Sequence, residues 1–259
     1  MMQATLEDFL TSAVFAFILA FVRIGTAIMI MPGLGDSFVS ERIRLLMALA
    51  MSFVLFPVVM PYMPPNLHVG GALLMLVASE LIIGLLIGTT ARIFMTALDT
   101  AGMIISTQSG LANAQVFNPT LAAQGSLIGA FVSMTGVLLI LLTDLHHLLI
   151  RGVIESYQMF PVGQFPDSGS MAEVISKSIA ASFAIGIKIT TPFIVLTLLI
   201  YVGMGVLSRL MPQVQVFMIA MPLQILLSLI LLMFVLTAMM SAWLREFEQA
   251  MIFFLSGGG

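Results

Sequence analysis

The chain contains no cysteine. Disulfides, thiolate nucleophiles and cysteine-ligated metals are therefore excluded. Charge is also scarce: Asp, Glu, Lys and Arg make up 8% of the residues, against about 25% in a soluble domain. So few charges cannot cover a water-facing surface. The formal net charge of −3 comes with no basic cluster, so nothing is present to neutralise nucleic-acid phosphates. The amino terminus has Glu7 and Asp8 but no base. A secretory signal begins with a positive stretch and ends at a small-residue cleavage site, so the first apolar segment is expected to stay in the mature protein. There is no G-x-x-x-x-G-K-[ST] phosphate loop and no H-E-x-x-H zinc signature.

What remains is hydrophobic, at 60% of the residues. Six apolar stretches stand out: Phe9–Met31, Leu45–Met60, Leu73–Thr90, Leu127–Leu142, Ile179–Leu207 and Met218–Trp243. A helix needs about 20 residues to cross roughly 30 Å of hydrocarbon, so the expected fold is an all-α integral membrane protein with about six long hydrophobic helices. Arg23, Glu80 and Lys188 fall inside three of these stretches. Each ionised group in lipid would cost roughly 2.5–3.5 kcal/mol, and three together about 8–10 kcal/mol. They must be sheltered by protein or water, which implies an assembly or a conduit.

Loop charge gives no orientation. With the N-terminus outside, Arg42, Arg44, Arg92 and Arg209 would lie inside, against Arg151, Lys177 and Arg245 outside, too even a split for the positive-inside rule. The character of the chain changes near Ser178. Residues 1–178 hold four apolar segments with long connections, Ala91–Ser126 and Leu145–Ser178, and residues 179–259 form a helical hairpin.

Catalytic motifs do not survive inspection. Gly33-Leu-Gly35-Asp36 spells the G-x-G-D string of intramembrane aspartyl proteases, but the preceding helix has no second aspartate to share the acid–base work. A helix-stopping turn with left-handed glycines is the simpler reading. Ser109-Gly110 lacks the glycine expected two places before a protease serine, which is Thr107 here. Asp144 and His147, three apart, offer two ligands, and a catalytic zinc site wants three. No enzyme, metal or cofactor is expected.

Packing signals are clearer. Gly84-Leu-Leu-Ile-Gly88 and Gly125-Ser-Leu-Ile-Gly129 have the small-xxx-small spacing that lets two backbones approach closely. Methionine is abundant, 22 residues, and its flexible thioether suits surfaces that seal and deform. Ala91–Ile105 reads as helix, with Arg92 and Asp99 on one side. Ser106–Thr120 then turns small and polar without a single charge. Irregular uncharged backbone is tolerated at membrane depth only inside protein or along a wet cavity, so a re-entrant or lumen-filling loop is expected, with a plain surface loop as the rival.

The order and wording of these elements resemble the FliR family of type III secretion export-gate proteins. The matching stretches are Arg23-Ile-Gly25, the Pro32–Arg44 turn, Ser79–Gly88, Gln108–Thr120 with its Phe-Asn-Pro, Lys188–Pro192 and Ser208–Gln213. The resemblance implies a structural, pore-forming subunit of the flagellar export gate in the bacterial inner membrane, at the flagellar basal body. Its front half would be FliP-like and its closing hairpin FliQ-like. Its partners would be FliP-like and FliQ-like membrane subunits, an FlhB-like export component, membrane lipid and unfolded flagellar substrates. A plug of the closed channel would fall on Gln108, Ser109, Gly110, Leu111, Asn113, Gln115, Val116, Phe117, Asn118 and Pro119. Arg23, Glu80, Asp99, Lys188 and Arg209 would lock subunit contacts, and Gly84, Gly88, Gly125 and Gly129 would pack helices. The competing reading is a secondary transporter of a small solute, with Glu80 or Asp99 as proton site and Lys188 as partner.

Overall fold

The computed structural model describes residues 6–36, 38–64, 72–112, 126–211 and 216–255. Among these residues the fold is all-α. Its helices are α1 (Leu6–Ile30), α2 (Glu41–Val59), a 3₁₀ turn (Met60–Tyr62), α3 (Ala72–Gln108), α4 (Leu127–Leu142), α5 (Leu145–Met159), α6 (Ser168–Leu210) and α7 (Val216–Leu255). Among the described residues five spans are long and apolar enough to cross a membrane, and a sixth arises if α4 and α5, bent by 75° at their joint, count as one.

Three helices run beyond the apolar stretches, α3 by joining Leu73–Thr90 to the helix expected over Ala91–Ile105. At 1.5 Å per residue, α3 with 37 residues extends about 55 Å, α6 with 43 about 65 Å and α7 with 40 about 60 Å. All exceed the roughly 30 Å hydrocarbon layer. α3 passes Thr90 without a break because its hydroxyls bond within the helix, Thr90 Oγ1 to Leu86 O at 2.8 Å and Thr107 Oγ1 to Met103 O at 2.9 Å. It ends where Gly110 turns left-handed at φ 79°. Residues 106–108, expected to open an irregular stretch, are therefore helical. The supposed connection Leu145–Ser178 instead contains α5 and the first turns of α6. α5 buries Leu145, Leu149, Val153, Ser156 and Tyr157, the three-to-four spacing of an amphipathic helix. Asp167 starts α6 by accepting the Ser170 amide at 2.9 Å, an N-cap that satisfies one orphan helix donor.

The chain divides into two compact units. The first comprises residues 1–93, 140–179 and 248–259. Its core includes Leu19, Ile24 and Ile28 of α1, Ile83 of α3 and Val153 and Tyr157 of α5, and Phe17 meets Phe56 of α2 edge-on at 5.5 Å. The second comprises residues 94–139 and 180–247, with a core that includes Leu98, Val132, Phe193, Trp243 and Phe247.

Candidate functional site

Two of the charges placed in apolar stretches meet inside the first unit. Arg23 donates from Nε to Glu80 Oε2 at 2.7 Å and from Nη2 to Glu80 Oε1 at 2.8 Å. Both side chains are fully buried. The rest of the guanidinium is used as well. Nη1 reaches Ser156 O at 3.2 Å and Ser156 Oγ at 3.4 Å, and Nη2 reaches Phe160 O at 3.0 Å. These contacts match the five N–H donors of arginine. The Tyr157 ring lies 4.0 Å beneath the guanidinium carbon, a cation–π contact strengthened by exclusion of water. The expected shelter therefore exists, but for this pair it comes from α1, α3 and the segment around α5 of the same chain. The Tyr157 hydroxyl is buried with no hydrogen-bond partner among the described residues.

A second charged contact ties down the turn after α1. Gly33 is left-handed at φ 86° and donates its amide to Asp36 Oδ2 at 2.7 Å. Asp36, only 7% exposed, also takes a hydrogen bond from Arg92 of α3. The G-x-G-D string thus forms a helix-stopping turn whose aspartate is held by Gly33 and Arg92. The proximity of Asp36 to Arg92, 56 positions apart, was not legible from the spacing of Arg92 and Asp99.

In the second unit the described charges are exposed, apart from half-buried Glu246. Lys188 Nζ stands 3.6 Å from Glu246, with side chains 72% and 41% exposed. Asp99 accepts from Ser133 Oγ, and Arg209 is exposed in the last turn of α6. The transporter reading needed Lys188 to partner Glu80 or Asp99. Instead Glu80 is paired with Arg23, Lys188 with Glu246 and Asp99 with Ser133. Trp243 donates from Nε1 to Phe94 O at 2.9 Å. The carbonyl of Gln108, at the end of α3, accepts from Thr197 Oγ1 of α6 at 3.0 Å and from Gln224 Nε2 of α7. Helix-terminal carbonyls lack partners within their own helix, so these side chains hold the last turn of α3. Beyond it Ser109 is buried, its hydroxyl donating to Ser106 O at 3.0 Å. Gly110, Leu111 and Ala112 follow in a turn, and Ala112 N bonds back to Ser106 O at 3.1 Å. Asn113, Gln115, Val116, Phe117, Asn118 and Pro119 lie outside the described residues.

The glycine pattern is partly placed. A Cβ on Gly84 would stand 2.6 Å from Arg23 O, and one on Gly88 2.9 Å from Ile30 Cβ, so this pair packs α3 on α1 beside the Arg23–Glu80 contact. Gly125 lies outside the described residues. Gly129 meets Gly102, which belongs to neither small-xxx-small pattern, at a backbone crossing too close for a side chain on Gly102. Ser126 Oγ bridges the same crossing to Gly102 O at 2.9 Å.

The cavity beside the buried ion pair is lined by Met31, Ile87, Leu149, Met159 and Met251 among others, with Ser156 its hydroxyl-bearing member. It holds no titratable group and offers nothing for acid–base or nucleophilic chemistry.

Comparison with known proteins agrees with this picture of a structural membrane subunit. Residues 14–250 match the profile of the family described as "Bacterial export proteins, family 1". The chain is 37% identical over 241 residues to the flagellar biosynthetic protein FliR of Caulobacter vibrioides, covering 93% of this chain and 96% of that protein. It is 32% identical to the Bacillus subtilis protein of the same name over 220 residues, 84% of each. It is also 30% identical over 171 residues to the Yop proteins translocation protein T of Yersinia pestis, 65% of this chain and 66% of that one. The chain belongs to the bacterial export proteins, family 1, and is an all-α membrane component of an export apparatus, not an enzyme.

Proposed function

We propose that the chain is a pore-forming subunit of the flagellar type III protein export gate in the bacterial inner membrane. It would work at the basal body, passing unfolded flagellar subunits. The observation that carries this reading is likeness to proteins named FliR along almost the full length. The structure adds physical support. The most apolar 18-residue stretch of α2 and that of α7 are each only 17% buried within the chain, which leaves long apolar faces for lipid or for other subunits. Helices of about 55–65 Å project beyond a bilayer, and such projections need protein cover.

In this reading FliP-like and FliQ-like subunits cover those faces, with an FlhB-like component nearby. Residues 1–178 supply the FliP-like arrangement and 179–259 the FliQ-like hairpin. Lys188, Asp99 and Arg209 are exposed and Glu246 is half-buried in the single chain, all available to subunit contacts, whereas Arg23 and Glu80 brace the chain that presents them. Gln108–Pro119 serves as the plug, and its first residue is the one gripped by Thr197 and Gln224. A plug without charge can detach for many substrates because it has no ionic latch to break.

Two measurements test the reading. The detergent-extracted chain should leave the membrane with two smaller membrane proteins, resolved by native mass spectrometry; a solitary, stable chain contradicts it. Deleting Gln108–Thr120 from the assembled complex should raise ion leakage, and unchanged conductance removes the plug assignment.

A further inference from the structure

We infer that the joint between α4 and α5 is a binding site for one divalent transition-metal ion of the Zn²⁺ or Co²⁺ type, held by Asp144, His146 and His147. Donor atoms of these three residues all lie within 4.8 Å of one another, and His147 Nδ1 is 3.7 Å from Asp144 Oδ1. Donors around a zinc ion stand about 2.0–2.2 Å from it. The Asp144 and His147 side chains are 78% and 71% exposed, so they can turn inward by the remaining distance without disturbing packed neighbours.

The backbone at the joint explains why three donors converge within four residues. Residues at these spacings cannot all share one face of a continuous helix. Here the helix is broken: Asp144 is left-handed, at φ 59° and ψ 14°, a conformation uncommon outside glycine although tolerated by aspartate. It stands at the N-cap position of α5, where an aspartate ordinarily accepts an amide of the first turn. Its side chain makes no such bond, leaving the carboxylate to face His147. The two imidazoles lie with centroids 4.1 Å apart, and His146 Nδ1 is buried without a hydrogen-bond partner among the described residues. The end of α4 and the start of α5 bring partial charges of opposite sign to the joint, so the Asp144 carboxylate decides its net sign. Two imidazole nitrogens and one carboxylate oxygen suit zinc and its neighbours rather than calcium or magnesium. Three protein ligands leave a position for water or for a donor from another chain. A bound ion would tie Asp144 to the first turn of α5 and pin the 75° bend.

The test uses the full-length chain with a non-histidine affinity tag, purified in detergent and stripped with chelator. Cobalt titration should show one saturable site per chain with visible d–d absorption, displaced by Zn²⁺. Asp144→Gly removes the carboxylate while accepting the positive φ, so the fold is retained; the emission of Trp243, the chain's one tryptophan, monitors that. Asp144→Gly and His147→Gln should each weaken binding at least about tenfold, the loss that even a supporting residue commonly causes at metal sites. Substituting His68, the remaining histidine, should change nothing. Absence of saturable cobalt binding, full affinity in Asp144→Gly, or loss of the site on His68→Gln would each overturn the assignment.

Discussion

Glu80 holds Arg23 in a two-pronged contact, Nε to Oε2 at 2.7 Å and Nη2 to Oε1 at 2.8 Å, with neither side chain exposed. Fifty-seven positions separate them, so the contact joins α1 to α3 over a long stretch of chain. Breaking a buried pair from one side strands the other charge at about 3–5 kcal/mol, whereas replacing both members with apolar groups is often neutral. Arg23→Met and Glu80→Leu should each cost stability on that scale, and the double variant should recover most of it. Thermal unfolding of the detergent-solubilised chain checks this; a double variant as unstable as the sum of the singles would show that the two do not act as a pair.

The Tyr157 ring supports Arg23, but its hydroxyl has no partner among the described residues. A buried hydroxyl left without a bond costs about 1–3 kcal/mol. Tyr157→Phe keeps the ring and discards the unpaired group, so it should match or exceed the parent in midpoint temperature. A clear drop would mean that the hydroxyl is bonded in the assembled protein.

Gly84 and Gly203 make opposite predictions for one substitution. A methyl at Gly84 meets Arg23 O at 2.6 Å, while nothing lies within 4 Å of one at Gly203. Gly84→Ala should lose about 1–3 kcal/mol through overpacking. Gly203→Ala should be neutral or gain up to about 1 kcal/mol of helix propensity. Melting of the two variants side by side distinguishes them, and equal effects would contradict the close crossing of α3 on α1.

Asp167 carries a pH dependence. The Ser170 amide, then the Ser170 hydroxyl, hold its carboxyl below the usual carboxylate range, because both donate to the ionised form. The folded chain therefore binds this proton less readily than the unfolded chain. The capping contribution is complete above the unfolded pKa and disappears as pH falls through the lowered folded value. The Ser170 amide resonance should titrate with a midpoint below that of free aspartate, about 3.9, and Asp167→Ala should abolish the step. A midpoint at or above the free value would mean the cap does not form.

Much of the architecture was readable. Apolar runs of sufficient length announced the spans, and Arg23 and Glu80 announced a need for shelter. Other elements were legible but missed: the spacing of Leu145, Leu149, Val153 and Ser156 is that of a helix face, obscured by the polar residues between them. That Leu73–Thr90 and the helix expected over Ala91–Ile105 form one continuous α3 running on to Gln108 was hidden because serine and threonine read as loop residues, although Thr90 and Thr107 satisfy their hydroxyls on the helix itself. Contacts such as Gln224 with Gln108, 116 positions apart, leave no local trace.

Composition and the length of its apolar runs determined the solvent and the secondary structure, because a chain so poor in charge must satisfy its backbone bonds internally, and uninterrupted apolar runs of about 20 residues do so as helices. It also determined that the inner charges required company. Which company was a matter of which helices came to lie side by side. That choice follows from close approaches such as Gly84 on Arg23 and Gly102 on Gly129, and from the left-handed residue that bends α4 into α5. These relations depend on the simultaneous packing of distant segments, so only the folded chain could decide them.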